Sequence, residues 1–163
     1  MAKQETVANI LKNIEQNWPE SFEQHSPPIL RIHRLHDYLQ QDLALVIEQY
    51  SLQSADFGVL ATLRRGGEPF CLSPTELYSS MLLSSGGLTK VLTRVTKAGW
   101  VERVDNPEDK RSKLVQLTVA GRVLIDKIIQ ELHRNNQRKL TALSKEEQQQ
   151  LDGLLAKMLT AWE

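Results

Sequence analysis

The sequence predicts a mainly α-helical protein with a small β-wing of two or three strands set into the helical order. Three observations predict it. Apolar residues recur at helical spacing on both sides of residues 100–118. Within that span "WVERV" and "KLVQLT" read as short strands, and "DNPEDKRS" between them is a charged, turn-rich hairpin tip. Just upstream, a capped short helix leads through "SSGG" into a second helix, the arrangement of a helix-turn-helix. A hairpin directly after the second helix makes the unit a winged one.

The elements follow in order. Val7, Ile10, Leu11, Ile14 and Trp18 mark an amphipathic helix ended by Pro19, and "SFEQHSPP" is a linker. A long helix runs from about Ile29 to Tyr50, with Ile32, His36, Leu39, Leu43, Ile47 and Tyr50 on one side. Ser54 caps a helix holding Phe57, Leu60 and Leu63, which "RRGGEPFC" breaks. In "SPTEL", Ser73 caps, Pro74 takes the first helical position and Glu76 closes a capping box. From Leu88 the apolar positions are Leu88, Val91, Leu92 and Val95, on a helix that stops near Gly99. Thr118 caps a helix with Val123, Leu124, Ile128 and Leu132. Ser144 and Glu147 box the start of a last helix with Leu151, Leu154, Leu155, Met158 and Trp162. The expected organisation is an N-terminal helix and linker (1–24), dimerisation helices (25–53 and 119–163) and a DNA-binding lobe (54–118).

Composition bounds the function. The chain has 163 residues, 40% of them apolar and 25% charged, which fits one ordinary globular domain. Net charge is formally zero, so any basic surface must be local. Cys71 is the only cysteine, which excludes an intrachain disulfide and a cysteine-rich metal site. The start is too polar for a secretory signal, and no apolar run approaches the roughly 18 residues of a membrane span. The expected location is inside the cell.

One stretch is locally basic. "SSGGLTKVLTRVTKAGW" (84–100) contains no acid. Ser84, Ser85 and Gly87 offer hydroxyls and bare backbone where a recognition helix would enter the major groove. Thr89, Lys90, Thr93, Arg94 and Lys97 project from the face opposite the apolar stripe. Arg94 and Thr89 are the candidates for base contact, because an Arg fork reads guanine O6 and N7. Lys90, Lys97 and Ser73 are the candidates for phosphate, and Thr75 lies beside them. At the hairpin tip, Lys110, Arg111 and Lys113 are placed for a flanking minor groove, with Asp109 orienting a nearby Arg. The expected partner is therefore double-stranded DNA.

The terminal helices carry apolar stripes that a small domain gains little from packing on itself. Ile10, Leu11 and Ile14 at one end, with Leu151, Leu154, Leu155, Met158 and Trp162 at the other, suit an obligate-type twofold homodimer. Two recognition helices would then meet successive major grooves about 34 Å apart, on a pseudo-palindromic operator.

Other chemistries are poorly supplied. No phosphate loop, serine elbow or paired-His motif marks an enzyme. His33, His36 and Asp37 lack the further ligands zinc needs, so no metal and no cofactor is expected. Two alternatives stand beside DNA binding: a winged-helix protein-interaction module, and redox sensing through Cys71, with Arg64 and Arg65 a few residues away.

The run "SPTELYSSMLLSSGGLTKVLTRVTKAGWVERVDNPEDKRSKLVQLTVAG" resembles the core of the multiple-antibiotic-resistance regulator (MarR) family. Leu77, the Gly99-Trp100-Val101-Glu102-Arg103 junction, Asp109 and Arg111, Leu117-Thr118 and Gly121 carry the resemblance. It implies a bacterial, cytoplasmic, nucleoid-associated dimeric transcription factor, usually a repressor, released from DNA by a small phenolic or anionic effector. The extra N-terminal helix resembles the branch of urate-responsive repressors, and efflux-pump repressors are similar too. Trp18 and Arg103 match pocket residues of the urate branch. Gly58 and Val91 depart from it, where that branch has an acid and a second Arg. With His36 and Tyr38, Trp18 and Arg103 are the candidate effector walls. Interface packing competes for Trp18, and a phosphate or salt-bridge role for Arg103.

Overall fold

Caps and breakers set the element order in the computed structural model, which describes residues 4–81, 87–109 and 111–163. Helix α1 (Val7–Asn17) begins at Thr6, whose hydroxyl accepts the Asn9 N–H at 3.2 Å. Helix α1 stops before Pro19, as expected, with Trp18 as its C-cap. Pro19 opens a one-turn helix, α2 (Pro19–Phe22), because a first-turn position needs no N–H donor. For the same reason α3 (Pro27–Glu48) starts at Pro27, ahead of Ile29. Part of the expected linker is thus helical. Helix α4 (Ser54–Arg65) takes Gln53 as its N-cap rather than Ser54, and Asp56 Oδ2 accepts the Gln53 N–H at 2.9 Å.

A short strand β1 (Cys71–Leu72) precedes α5 (Pro74–Ser79). The capping box of α5 forms as expected. Ser73 Oγ accepts the Glu76 N–H at 3.2 Å, and Glu76 Oε2 accepts the Ser73 N–H at 2.9 Å. Ser73→Ala is expected to cost about 1 kcal/mol of stability in urea melts. The hydroxyl and backbone of Ser73 also hold the Glu76 carboxyl below the usual glutamate range. A lowered folded pKa contributes stability that is present at neutral pH and is lost as pH falls through it. The gap between wild type and Ser73→Ala should therefore narrow in acid, below about pH 4.3. A gap that widens in acid would contradict the box.

Next come α6 (Leu88–Lys97), β2 (Val101–Asp105), β3 (Lys113–Leu117), α7 (Val119–Leu140) and α8 (Lys145–Leu159). The sheet order is β1-β3-β2, antiparallel throughout. Val101 pairs with Leu117, Arg103 with Val115 and Asp105 with Lys113, while Cys71 pairs with Gln116. The wing is three-stranded, and Cys71, at the end of the helix-breaking "RRGGEPFC", lies in a strand.

The described chain divides into two compact units, one up to Leu45 and one from Val46 to Glu163. The core of the second unit joins Val59, Leu60 and Leu63 of α4, Leu77 of α5, Val91, Leu92 and Val95 of α6, and Val101, Val115 and Leu117 of the sheet. Each fully buried Leu or Val contributes about 1.5–3 kcal/mol of transfer free energy. From α7 the core takes Ile125 and Ile128, not Val123, which is 65% exposed. Contact between Gly121 and Trp100 sets that phase. A Cβ on Gly121 would lie 2.0 Å from the Trp100 carbonyl oxygen.

Candidate nucleic-acid interface

Helix α6 starts at Gly87, whose φ of +94° is open to glycine and strained for other residues. Its Val91, Leu92 and Val95 point into the core, as the apolar spacing predicts. The opposite face exposes Thr89, Lys90, Thr93 and Lys97. Among the described residues no acid pairs with Lys90 or Lys97. The Thr93 hydroxyl donates to the Thr89 carbonyl at 2.9 Å, which leaves its oxygen free to accept. Ser84, Ser85 and Lys110, all named from the sequence as DNA contacts, lie outside the described residues.

Arg94, expected at a base edge, is bonded to a carboxylate. Its Nε donates to both Asp56 oxygens, at 2.8 and 3.0 Å, and its Nη2 lies 2.6 Å from Oδ1. The fork that would read guanine is occupied by a carboxylate. The same bonds raise the guanidinium pKa, so it keeps its charge. The partner, Asp56, is fully buried. Sequence reasoning missed it, yet a signal was there. Asp56 falls four before Leu60 and seven before Leu63, an acid in phase with the core face, and such an acid needs a partner.

The wing tip also departs from expectation in two places. The Asp109 carboxylate accepts the backbone N–H of Arg111 at 2.9 Å and so shapes the turn, instead of orienting a guanidinium. Lys113 Nζ pairs across the hairpin with the Asp105 carboxylate. That pair is exposed on both sides, so it is weak and a phosphate can compete for the lysine. Asn106 Nδ2 donates to Ser112 Oγ at 2.9 Å, closing the base of the tip. Arg111 is exposed, and among the described residues no acid pairs with its guanidinium. Ser73 uses its oxygen, its N–H and its hydroxyl toward Glu76 within the capping box; Thr75 beside it is exposed.

Of the residues named for an effector, Trp18, 63% exposed, lines an open groove on α1 with Glu5, Ile10, Asn13, Ile14 and Asn17. His36 and Tyr38 do not line that groove. They stand two apart on α3, a spacing that puts side chains on different faces. Tyr38 instead lies under the Arg34 guanidinium, 5.9 Å from its ring centroid. Arg103 is exposed on β2, in the second unit.

Burial, and then the charge of Glu76, push the Cys71 thiol pKa up. Both disfavour the thiolate that oxidants attack, which weighs against redox sensing. Among the described residues no group of three His, Cys, Asp or Glu is placed to hold a metal, and no helix is long and apolar enough to cross a membrane.

A capped α5, a core-anchored α6 with a cationic outer face and a three-stranded wing define a winged helix-turn-helix transcriptional regulator. The MarR family profile matches residues 50–112. The transcriptional regulator PecS of Dickeya dadantii is 30% identical over 97% of this chain and 95% of its own length. The multiple antibiotic resistance protein MarR of Escherichia coli is 33% identical over 80% of this chain and 92% of its own. A cysteine-to-serine variant of E. coli MarR crystallised with operator DNA superimposes with a TM-score of 0.61 at 31% identity, covering 81% of this chain and 96% of that one. The chain belongs to the MarR family.

Proposed function

We propose that two copies of the chain bind a pseudo-palindromic operator as a homodimer, act as a repressor at the bacterial chromosome, and are released by a small aromatic or anionic effector. The observation that carries this reading is the outer face of α6. It has no acid, and its lysines are exposed and unpaired among the described residues. Such a face attracts phosphate and gains affinity by releasing counterions. In this reading residues 54–118 are the DNA-binding lobe, Thr89 and Thr93 meet base edges, and Lys90, Lys97, Ser73 and Thr75 hold backbone. Arg111 reaches the flanking minor groove, with Lys113 a further phosphate contact once it leaves Asp105. The operator-bound relative supports the mode of use. Trp18 is the aromatic wall we assign to the effector, since it alone of the four candidate walls lines the α1 groove.

Binding of Lys90→Ala, Lys97→Ala and Arg111→Ala over a salt series tests the interface. Each lost phosphate contact should weaken selected and random duplexes alike and reduce the salt slope by about one unit. Wild-type binding by all three variants would remove DNA from this face and leave a protein-interaction module.

A further inference from the structure

Asp56 is a charged group with no exposed surface, at the third position of α4. Its carboxylate takes the Gln53 N–H and, through both oxygens, the Arg94 Nε–H, with Arg94 Nη2 in ion-pair contact with Oδ1. An unpaired buried carboxylate is costly, so the acid and the arginine hold each other in place. A well-packed apolar pair would serve stability as well. What the pair adds is direction. A planar guanidinium held by both oxygens of one carboxylate has its distance and rotation fixed together. The remaining anchors of α6 are Val91, Leu92 and Val95, whose apolar contacts have no preferred direction. Such contacts hold a helix against the core but resist its rolling weakly. A roll of α6 would carry Thr89, Lys90 and Thr93 off base edges while leaving the face just as cationic.

We infer that Asp56 is a positioning residue for DNA readout: through Arg94 it fixes the roll of α6, and Arg94 itself reads no base. This rests on the reading of α6 as the recognition helix. The two roles open to Arg94 have different signatures. A base reader loses preference at one position of the site when removed. A positioning pair loses preference at every position α6 reads, whichever partner is changed.

The experiment selects a duplex from a random pool with the wild-type protein. Wild type, Asp56→Asn and Arg94→Gln are then measured on that duplex, on each of its single-base variants and on unselected duplex, at a temperature where circular dichroism shows them folded. Both variants should lose about ten-fold or more on the selected duplex and flatten its base preferences at all positions alike, with coinciding profiles. Affinity for unselected duplex, which is electrostatic, should stay within about two-fold. Preference lost at one base pair in Arg94→Gln but kept in Asp56→Asn would make Arg94 a reader and overturn the inference. So would wild-type binding by Asp56→Asn. Arg94→Lys, which keeps the charge and a donor, replaces either variant if it fails to fold. It should flatten all positions partially, and a loss confined to one position would again overturn the proposal. A wild-type protein that selects no sequence would defeat the DNA-binding reading itself.

Discussion

Gly121→Ala is expected to lower the melting temperature by about 6–12 °C, the equivalent of about 3 kcal/mol in a chain of this size. The new Cβ would lie 2.0 Å from the Trp100 carbonyl oxygen, 2.9 Å from its carbon and 3.0 Å from Leu117 Cδ1. Two of those atoms are backbone, so no rotamer change relieves the contact. The Trp100 carbonyl is itself tied in, accepting the Thr118 N–H at 3.1 Å. The Thr118 side chain adds to this junction: its hydroxyl donates to the Gly99 carbonyl at 2.7 Å, shared with the Trp100 carbonyl at 3.1 Å, and accepts the Gly121 N–H at 3.0 Å. One methyl group therefore pushes the first turn of α7 away from the end of α6 and the start of the wing together. Thermal melts of Gly121→Ala beside Gly153→Ala separate this from a general glycine effect, since a Cβ at Gly153 meets nothing within 4 Å. Equal melting temperatures for Gly121→Ala and wild type would refute the close approach.

What was legible in the sequence was local. The boxes at Ser73–Glu76 and Ser144–Glu147 are read correctly because cap and partner are three residues apart and the bonds need nothing else. The core stripe of α6 is legible because its apolar residues share one face at one period. The Asp56–Arg94 pair was not, since its members are 38 residues apart and only tertiary packing brings them together. On α7, Ile128 is buried as expected, while Val123 is exposed and Ile125 takes the core position, for a similar reason. Val123 and Leu124 fit a helical period as well as Ile125 does, and the choice between them is made by Gly121 against Trp100. Strand β1 has two residues, too few for alternation to register, and forms because Gln116 and Val115 of β3 are there to pair with it. The effector residues were named mainly by resemblance, and sequence spacing alone already separates His36 from Tyr38 on α3.

Charging the last helix should have the larger effect on DNA binding. Helix α8 has no buried residue, and its apolar stripe stands in solvent: Leu151 is 39% exposed, Leu154 66%, Leu155 39% and Leu159 49%, while Trp162, expected on the helix, lies in the turn past its end at 73%. On α1, Ile10, Leu11 and Ile14 are half-buried and likewise none is fully covered. An exposed apolar stripe such as that of α8 marks an interaction surface. A second copy is the proposed occupant, through the twofold contact in which both subunits use the same patch. Leu154→Glu with Met158→Glu places four like charges across that contact. Sedimentation should then show monomers at concentrations where wild type is a dimer. Losing the second half-site removes an effective-concentration gain, so operator affinity should fall about 100-fold or more. Each separated lobe keeps its cationic α6, so random-duplex binding should persist with roughly half the salt slope. That remainder distinguishes a lost dimer from a lost fold, because an unfolded chain keeps neither the slope nor its helical dichroism. A double variant that still sediments as a dimer would place the subunit contact away from α8.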